Sequence, residues 1–354
     1  MRMKRITAFL AALLLAALFA ASSAAETLTI SLVGDCTVGE NDKMRGYTSG
    51  YTYQIRKKGF DYPFSLVADM FAADDLTIAN CEGVLSERSS VKRTKHKDNM
   101  WLIADPEFAQ VFKLGNVDVC NLANNHGKDF GSKGQENTVA SLAAVGIDSF
   151  YDKVTLIKEV KGVKIGFVGY TYPFNDNKVK KMVKAMKALR EEGCTFVIAS
   201  CHWGRETYYQ LDGNQGYATK LIDAGFDMLY GTGSHTCQMI RWYKGKLIFY
   251  SLSNFTFGAN AAPKDDDTVV IQVRYDIRED GTLAPAELYA LPFKMHKDRD
   301  FRPWPIEDEQ AKQVVWEKLY YNGYGKTRKA KPAPSLPESF LTTGYVDLRE
   351  LPAE

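Results

Sequence analysis

The feature that most constrains this chain is a regular alternation of short apolar runs and amphipathic segments between about residues 26 and 257. Gly, Asn, Asp or Pro bound the amphipathic segments, as expected for helices. Fully apolar strands that alternate with helices indicate an α/β fold whose mostly parallel sheet is covered on both faces. The predicted strands are Thr27–Val33, Leu76–Ala79, Val117–Leu122, Lys164–Tyr170, Thr195–Cys201 and Asp227–Tyr230, and the predicted helices are Phe64–Phe71, Pro106–Leu114, Lys133–Ala144, Lys178–Glu192 and Gly216–Ala224.

The pattern changes after Tyr230. Two short apolar runs flank a Lys-Gly turn, which predicts a β-hairpin. Two further strands and a closing helix follow, so we expect a second, antiparallel sheet. From Lys326 the chain is basic and then rich in Pro, which is typical of a loosely attached tail. The predicted elements are Met239–Tyr243, Leu247–Ser251, Asp267–Tyr275, Leu288–Phe293 and the helix Gln310–Tyr321.

The first 25 residues have the organisation of a signal peptide. Arg2, Lys4 and Arg5 precede an apolar run from Ile6 to Ala21, and small residues end at Ala25. We therefore expect export, to the extracellular space, cell surface or periplasm, with cleavage after Ala25. The alternative is an uncleaved N-terminal anchor, although the apolar run is shorter than the about 20 residues that span a bilayer.

Charge and cysteine content narrow the functional classes. The 354 residues carry a net charge of +2, and removal of the signal peptide changes it to −1, which argues against a nucleic-acid binder. Six cysteines in an exported chain permit disulfides, but a chain of this length does not need them. We expect buried free thiols, with disulfides as the alternative, at Cys36, Cys81, Cys120, Cys194, Cys201 and Cys237.

Polar clusters follow five of the predicted strands. In an α/β sheet the carboxyl ends of the strands meet in one crevice, so these side chains are expected to converge there. Carboxylate, amide and imidazole groups together suit Zn, Mn or Fe. A single Asp, Asn or His at a strand end is more often a turn, a cap or a structural residue, but five coincidences favour a site. The clusters are Gly34-Asp35-Cys36, Asn80-Cys81-Glu82, Asn124-Asn125-His126, His202-Trp203-Gly204 and Gly231-Thr232-Gly233-Ser234-His235.

Several segments resemble the CapA family of capsule and poly-γ-glutamate synthesis proteins: VGDCTVGE, IANCEGVLS, VDVCNLANNHGKDFG, ASCHWGRE, LYGTGSHTCQ and LIFYSLSNF. The resemblance runs from about Leu28 to Phe293 in consistent order. That family is similar in fold to the calcineurin-like metallophosphatases. The resemblance therefore implies a two-sheet sandwich flanked by helices that holds one or two divalent ions at strand ends.

The resemblance also implies roles for individual residues. His126 takes the place of a general acid, oriented by Asp129. A metal-bound water would be the nucleophile. Four residues would line the substrate site, with packing or capping as the alternative: Asn80, Trp203, Glu206 and Asn254. The implied metal ligands are Asp35, Glu82, Asn125, His202 and His235.

Two positions depart from the metallophosphatase pattern. Thr37 stands where the first motif has a histidine, and Gly233 stands where the last motif has the first of its two histidines. Each ion would therefore lose a ligand. A dinuclear site, a single ion and a metal-free binding pocket remain the alternatives.

These observations lead to three functional hypotheses. The first is an exported enzyme that synthesises or processes an anionic cell-surface polymer by metal-assisted hydrolysis or transfer, with residues 26–300 as the working domain and 301–354 as a helix and extended tail. The second is a non-catalytic factor that binds the polymer or membrane synthase subunits. The third is a phosphatase or phosphodiesterase. The basic run Lys92–Lys97 would contact the polymer or form a solvated loop.

Overall fold

Two β-sheets pack face to face, with helices on the outer face of each. The computed structural model describes residues 26–94, 99–213, 215–260, 262–296, 300–324 and 336–352. The predicted signal peptide and part of the basic run lie outside the described residues. The described part of the chain contains no helix that is both long and apolar enough to span a membrane.

The strands alternate with helices along the first two thirds of the chain, as the sequence predicts. In chain order the strands are β1 (Thr27–Thr37), β2 (Glu40–Asn41), β3 (Leu76–Cys81), β4 (Val84–Leu85), β5 (Leu102–Ala104), β6 (Val119–Asn121), β7 (Asp148–Phe150), β8 (Leu156–Val160), β9 (Val163–Thr171), β10 (Phe196–His202), β11 (Met228–Thr232), β12 (Cys237–Tyr243), β13 (Lys246–Leu252), β14 (Asn254–Phe257), β15 (Asp267–Ile277), β16 (Leu283–Lys294), β17 (Trp304–Pro305) and β18 (Tyr345–Asp347). The helices are α1 (Tyr51–Lys58), α2 (Ala68–Ala73), α3 (Ala109–Leu114), α4 (Gly131–Ala144), α5 (Asp176–Glu191), α6 (Ala218–Asp223), α7 (Glu309–Tyr320) and α8 (Phe340–Thr343).

The first sheet has the order β17-β16-β15-β1-β3-β6-β7, with β14 beside β1 and β18 beside β16. The second sheet has the order β12-β13-β11-β10-β9-β8, and a small third sheet joins β2, β5 and β4. The parallel strands are thus divided between two mixed sheets. The expectation of one parallel and one antiparallel sheet is wrong, because the β12–β13 hairpin extends the second sheet while β15 and β16 return to the first.

Three apolar cores hold the layers together. The largest lies between the sheets and includes Ile30 and Ile78 from one sheet and Ile165 and Ile198 from the other. A second core packs α1 to α4 against the first sheet, and a third packs α5 and α6 against the second. The two-sheet sandwich flanked by helices is therefore confirmed.

The C-terminal segment is part of the sandwich rather than an extended tail. Strand β18 pairs with β16, and Leu336, Phe340, Val346 and Leu348 are buried in the core between the sheets. Lys326 to Pro332 lie outside the described residues. The prediction of a loosely attached tail is wrong for residues 336–352, because their apolar side chains pack into the core between the sheets.

Candidate metal centre

The carboxyl ends of strands from both sheets meet at one edge of the sandwich. Asp35 lies near the end of β1, and Glu82 directly follows β3. His202 is the last residue of β10, and His235 follows β11 by three residues. Asn125 follows β6. The parallel register of β1, β3 and β6 brings the first-sheet residues together, and packing of the sheets adds the two histidines.

Asp35, Glu82 and His235 form the centre of this cluster. One potential ligand atom from each lies within 4.8 Å of the other two. Asp35 and Glu82 are buried, while the His235 side chain is 19% exposed. Two carboxylates and an imidazole at this separation form a donor set that suits a divalent cation of the Mn, Zn or Fe type.

His202 borders the same cluster. Its Nε2 lies 3.5 Å from Glu82 Oε1, and its Nδ1 lies 3.7 Å from Asp35 Oδ1. The Thr232 hydroxyl contacts Nδ1 at 3.0 Å. Because Thr232 engages Nδ1, the ring presents Nε2 to Glu82.

Buried oxygen atoms without hydrogen-bond partners support a cation at this position. Among the described residues, both carboxylate oxygens of Glu82 and the amide oxygen of Asn125 are buried in this way. The hydroxyl of Thr37 is another such atom, and Thr37 lies beside Glu82 in the same narrow cleft. Buried acceptors that lack donors are costly unless a cation or water satisfies them. The residues present therefore fit a divalent metal.

The electrostatics of the cluster reflect its like-charged carboxylates. Burial and the charge of Asp35 raise the pKa of Glu82 to about 7. Burial would raise the pKa of Asp35 as well, but the hydrogen bond from His235 and the electrostatic interactions with His202 and His235 lower it. Burial opposes protonation of His235, yet Glu82 and Asp35 raise its pKa to about 10. Burial lowers the pKa of His202 to about 4. One imidazolium thus faces two carboxylates, which is the charge balance that a bound cation would replace.

His126 and Asp129 form a hydrogen-bonded pair at the edge of the cluster. His126 Nδ1 lies 2.8 Å from Asp129 Oδ2, which also accepts the backbone N–H of Leu102 at 2.7 Å. Burial would lower the pKa of His126, but the hydrogen bond to Asp129 and the charge of Glu82 raise it.

A cavity of about 460 Å³ opens above the cluster, and we call it the metal-side cavity. Glu82, Asn125, His126 and His235 form part of its wall. Glu206 and Asn254, both predicted to line the site, also belong to that wall. The structure therefore brings all five implied metal ligands and the predicted general acid to one place.

Two of the predicted lining residues, Asn80 and Trp203, are not part of the cavity wall. Asn80 is buried beneath the cluster, where its Nδ2 donates to Asp35 Oδ1 at 2.7 Å and its Oδ1 accepts from Asn121 at 2.8 Å. Trp203 is fully buried, packs against Phe174, and donates its indole N–H to the carbonyl of Tyr250. The prediction that Trp203 lines the site is wrong, because strand alternation turns the residue after His202 toward the helix-covered face.

Asn254 has a positioning role that the sequence pattern did not indicate. Its Oδ1 accepts a hydrogen bond from His235 Nδ1 at 2.7 Å. His235 itself has a positive φ of 55°, a conformation that histidine adopts more readily than most residues. The hydroxyl of Thr232 makes the corresponding contact with His202 Nδ1. The sequence did not predict this contact, because a threonine at the end of a strand is common and does not indicate a function.

Local backbone packing explains the departure at Gly233. Its φ is +101°, and a Cβ atom would lie 2.9 Å from the backbone N and O of Trp203. Its N–H donates to Asp35 Oδ2 at 3.1 Å. A histidine does not fit here, and the backbone amide contacts the carboxylate instead.

The basic run and the cysteines have structural roles where they are described. Arg93 donates to Asp42 Oδ2 at 2.6 Å and stacks on Trp101, while Lys95 to Lys97 lie outside the described residues. All six cysteines are buried and free, so the expectation of free thiols is confirmed.

Comparison with known proteins places the chain in a family. A family model described as "Bacterial capsule synthesis protein PGA_cap" matches residues 29–259, which contain every residue of the candidate centre.

The chain belongs to the PGA_cap family.

Curated relatives of this PGA_cap protein carry names from capsule and polymer biosynthesis. "Capsule biosynthesis protein CapA" of Bacillus anthracis is 26% identical over 83% of this chain and 73% of its own length. "PGA biosynthesis protein CapA" of Bacillus subtilis is 27% identical over 81% of this chain and 76% of its own length. A "Probable polyglutamine synthesis accessory protein" of Mycobacterium tuberculosis is 27% identical over 49% of this chain and 52% of its own length. The family resemblance predicted from the motifs is thereby confirmed.

Proposed function

We propose that this protein is an exported, metal-dependent enzyme that acts on an anionic polymer during capsule or poly-γ-glutamate synthesis. It would hydrolyse a bond of the polymer or transfer a group of it. The names of its relatives support the polymer. The observation that carries the enzymatic part is the group of Asp35, Glu82 and His235 donor atoms within 4.8 Å, beneath a cavity lined by His126.

Five side chains would hold the metal, with one or two ions as the stoichiometry. A bound Mn, Zn or Fe ion supplies Lewis acidity and lowers the pKa of a coordinated water. Asp35 and Glu82 supply the anionic donors, and Asn125 supplies a neutral oxygen. His202 and His235 are each held at Nδ1, by Thr232 and Asn254 respectively. His202 then presents Nε2 to Glu82 Oε1 at 3.5 Å, and His235 Nδ1 lies 3.3 Å from Asp35 Oδ2.

His126 would act on the leaving group. Asp129 fixes the ring at Nδ1, and the raised pKa of His126 favours the protonated ring that a general acid needs. The backbone N–H of Leu102 donates to Asp129 Oδ2 at 2.7 Å and holds this carboxylate beside the ring. Proton donation from Nε2 would then complete the cleavage.

The test compares His126→Gln with His296→Gln, a matched control outside the metal-side cavity. The purified variants are incubated with γ-linked polyglutamate and Mn²⁺, and both chain length and bound metal are measured. We expect His126→Gln to lower cleavage about 100-fold or more with its metal content retained, and His296→Gln to change neither. Equal cleavage by wild type and His126→Gln would refute the proposed acid.

A second candidate is a non-catalytic factor that holds the polymer or assembles membrane synthase subunits. Thr37 and Gly233 favour it, because each occupies the place of a ligand histidine, and one relative is named an accessory protein. Under this alternative Glu82→Gln leaves polymer binding and complex formation intact. Loss of polymer binding together with the metal would exclude it.

A further inference from the structure

A second cavity of about 470 Å³ lies beside the metal-side cavity, and we call it the α1 cavity. Its wall includes Asn41, Ser49, Gln54, Lys58 and Gly258. The two cavities have nearly equal volumes. Each is large enough to enclose a substantial part of a small ligand.

The two cavities adjoin at a shared residue. Ala259 lines both of them. The preceding Gly258 is fixed by its N–H, which donates to Thr37 O at 2.9 Å, and a Cβ atom there would lie 1.8 Å from Gly39 O. At this junction Gly258 has no side chain and Ala259 adds only one methyl group. An extended ligand can cross it and occupy both.

The acidic groups of the α1 cavity are engaged by its own wall. Glu40 accepts from the backbone N–H and the hydroxyl of Thr52 at 2.7 and 2.5 Å. Asp300 Oδ2 accepts from Tyr62 Oη at 2.8 Å and from Trp304 Nε1 at 3.0 Å. Both carboxylates are therefore hydrogen-bonded to neighbouring residues of the protein.

Cationic and neutral donors remain for a ligand. Lys58 is exposed at the end of α1, where its Nζ donates to Asp300 O at 3.4 Å and keeps further N–H groups for a ligand. Asn41 uses its side-chain oxygen to accept the N–H of Lys43 at 3.1 Å, which leaves its amide N–H₂ as a donor. Met44, 44% exposed, adds an apolar edge. A cation, amide donors and an apolar edge suit a chain that carries carboxylates on short aliphatic units.

The geometry points to the α1 cavity as a second subsite, which binds the carboxylate-bearing unit next to the one at the metal centre. This inference rests on the proposed polymer substrate. It predicts that affinity grows with ligand length until both cavities are occupied. It also predicts that Lys58 affects long ligands more than short ones.

The test measures binding of γ-linked oligoglutamates of two and eight residues to the Mn²⁺-loaded full chain by calorimetry. Lys58→Glu replaces attraction by repulsion, and we expect it to weaken binding of the eight-residue oligomer about tenfold and that of the two-residue oligomer less than about twofold. Lys57→Glu is the matched control, with the same charge change on the neighbouring exposed residue. Ser49→Trp fills the rim of the α1 cavity without a charge change and should have the same length-dependent effect as Lys58→Glu.

The outcomes separate this inference from the proposed function. Equal weakening by Lys57→Glu and Lys58→Glu, or equal wild-type affinity for both oligomers, would overturn the subsite and leave the metal centre standing. Failure of wild type to bind either oligomer would overturn the polymer substrate and the subsite with it. Metal content, measured on the same samples, would remain as a separate test of the centre.

Discussion

At the scale of single residues, a neutral side chain holds each of the two imidazoles of the cluster. Asn254 Oδ1 accepts from His235 Nδ1 at 2.7 Å, and Thr232 contacts His202 Nδ1 at 3.0 Å. Hydrogen bonds to the second ring nitrogen fix the tautomer and the orientation of a metal-binding histidine. The two neutral side chains therefore orient both imidazoles without adding charge to the cluster.

Removing one of these contacts should weaken metal binding and leave the fold intact. We expect Asn254→Ala to lower the affinity for Mn²⁺ about 10- to 100-fold, because His235 loses its orienting acceptor. Competition with a fluorescent chelator measures the affinity, and thermal unfolding checks the fold. Asn260→Ala is the control, since Asn260 lies in the wall of the metal-side cavity and caps the N–H of Ala262 instead. Equal affinities for both variants and wild type would remove the positioning role.

Sequence reasoning at this scale identified the residues that converge at the strand ends, but it did not indicate which side chains hold the imidazoles. Asp35, Glu82 and the histidines follow apolar strands, so their convergence follows from topology. Trp203 adjoins His202 in the sequence, but the side chain that follows a strand residue turns to the opposite face, so adjacency does not place it in the cavity. Thr232 and Asn254 act through three-dimensional contacts that spacing along the chain does not encode.

At the scale of elements, the backbone of the turn after β11 excludes a side chain at position 233. Gly233 has a φ of +101°, and its Cβ would lie 2.9 Å from the Trp203 backbone. We expect Gly233→Ala to destabilise the protein by about 3 kcal/mol, because the φ penalty of about 1–2 kcal/mol is joined by a backbone clash. Gly162→Ala is the matched control, with φ of +75° and no atom within 4 Å of the position that a Cβ would take. Chemical denaturation measures both, and equal losses would contradict the clash.

A buried ion pair joins α7 to β15 and makes stability depend on pH. Lys318 Nζ lies 2.8 Å from Asp265 and 2.5 Å from Asp267, and all three residues are buried. Burial would raise the pKa of Asp267, but Lys318 and Lys294 lower it. A lowered carboxyl pKa stabilises the fold above the unfolded value of about 3.9, and the contribution is lost as pH falls through the folded value.

Replacement of Lys318 should therefore have its largest effect above pH of about 4. We expect Lys318→Met to cost about 3 kcal/mol at pH 7, because it leaves a buried carboxylate with one cation fewer, and the difference from wild type to shrink as the carboxylates become protonated. Denaturant unfolding at pH 7 and at several values below pH of about 4 measures the difference. Lys312→Met, on the same helix and paired with the exposed Glu309, should cost less than about 0.5 kcal/mol. A pH-independent difference for Lys318→Met would contradict the assignment.

At the scale of the whole molecule, the C-terminal segment completes the sandwich. Four of its apolar side chains are buried, each with 6% exposure or less: Leu336, Phe340, Val346 and Leu348. Each contributes about 1.5–3 kcal/mol, and together they approach the about 5–15 kcal/mol stability of a typical domain. We expect deletion of residues 336–354 to unfold the protein, whereas deletion of 353–354 leaves its unfolding temperature unchanged. A cooperative transition at the wild-type temperature in the longer deletion would contradict this role.

The sequence predicted where most strands lie, but it did not predict which sheet each strand joins. Apolar runs such as Lys164–Tyr170 predicted strands that the structure extends by only a residue at each end, to β9 (Val163–Thr171). The division of parallel strands between two sheets could not be predicted, because Ile30 and Ile165 are equally apolar whichever sheet they join. Helix α1 was missed because the Gly and Tyr residues around it are typical of a loop.

The central claim is that the strand-end cluster binds a divalent metal through Glu82. The most direct measurement is elemental analysis of the full chain after equilibration with Mn²⁺ and removal of unbound ions. Glu82→Gln keeps the shape of the side chain, and Glu206→Gln makes the same change elsewhere in the metal-side cavity wall. We expect one or two ions per chain in wild type and Glu206→Gln and a loss of most of them in Glu82→Gln. A wild-type protein without metal, or Glu82→Gln with the wild-type content, would contradict it.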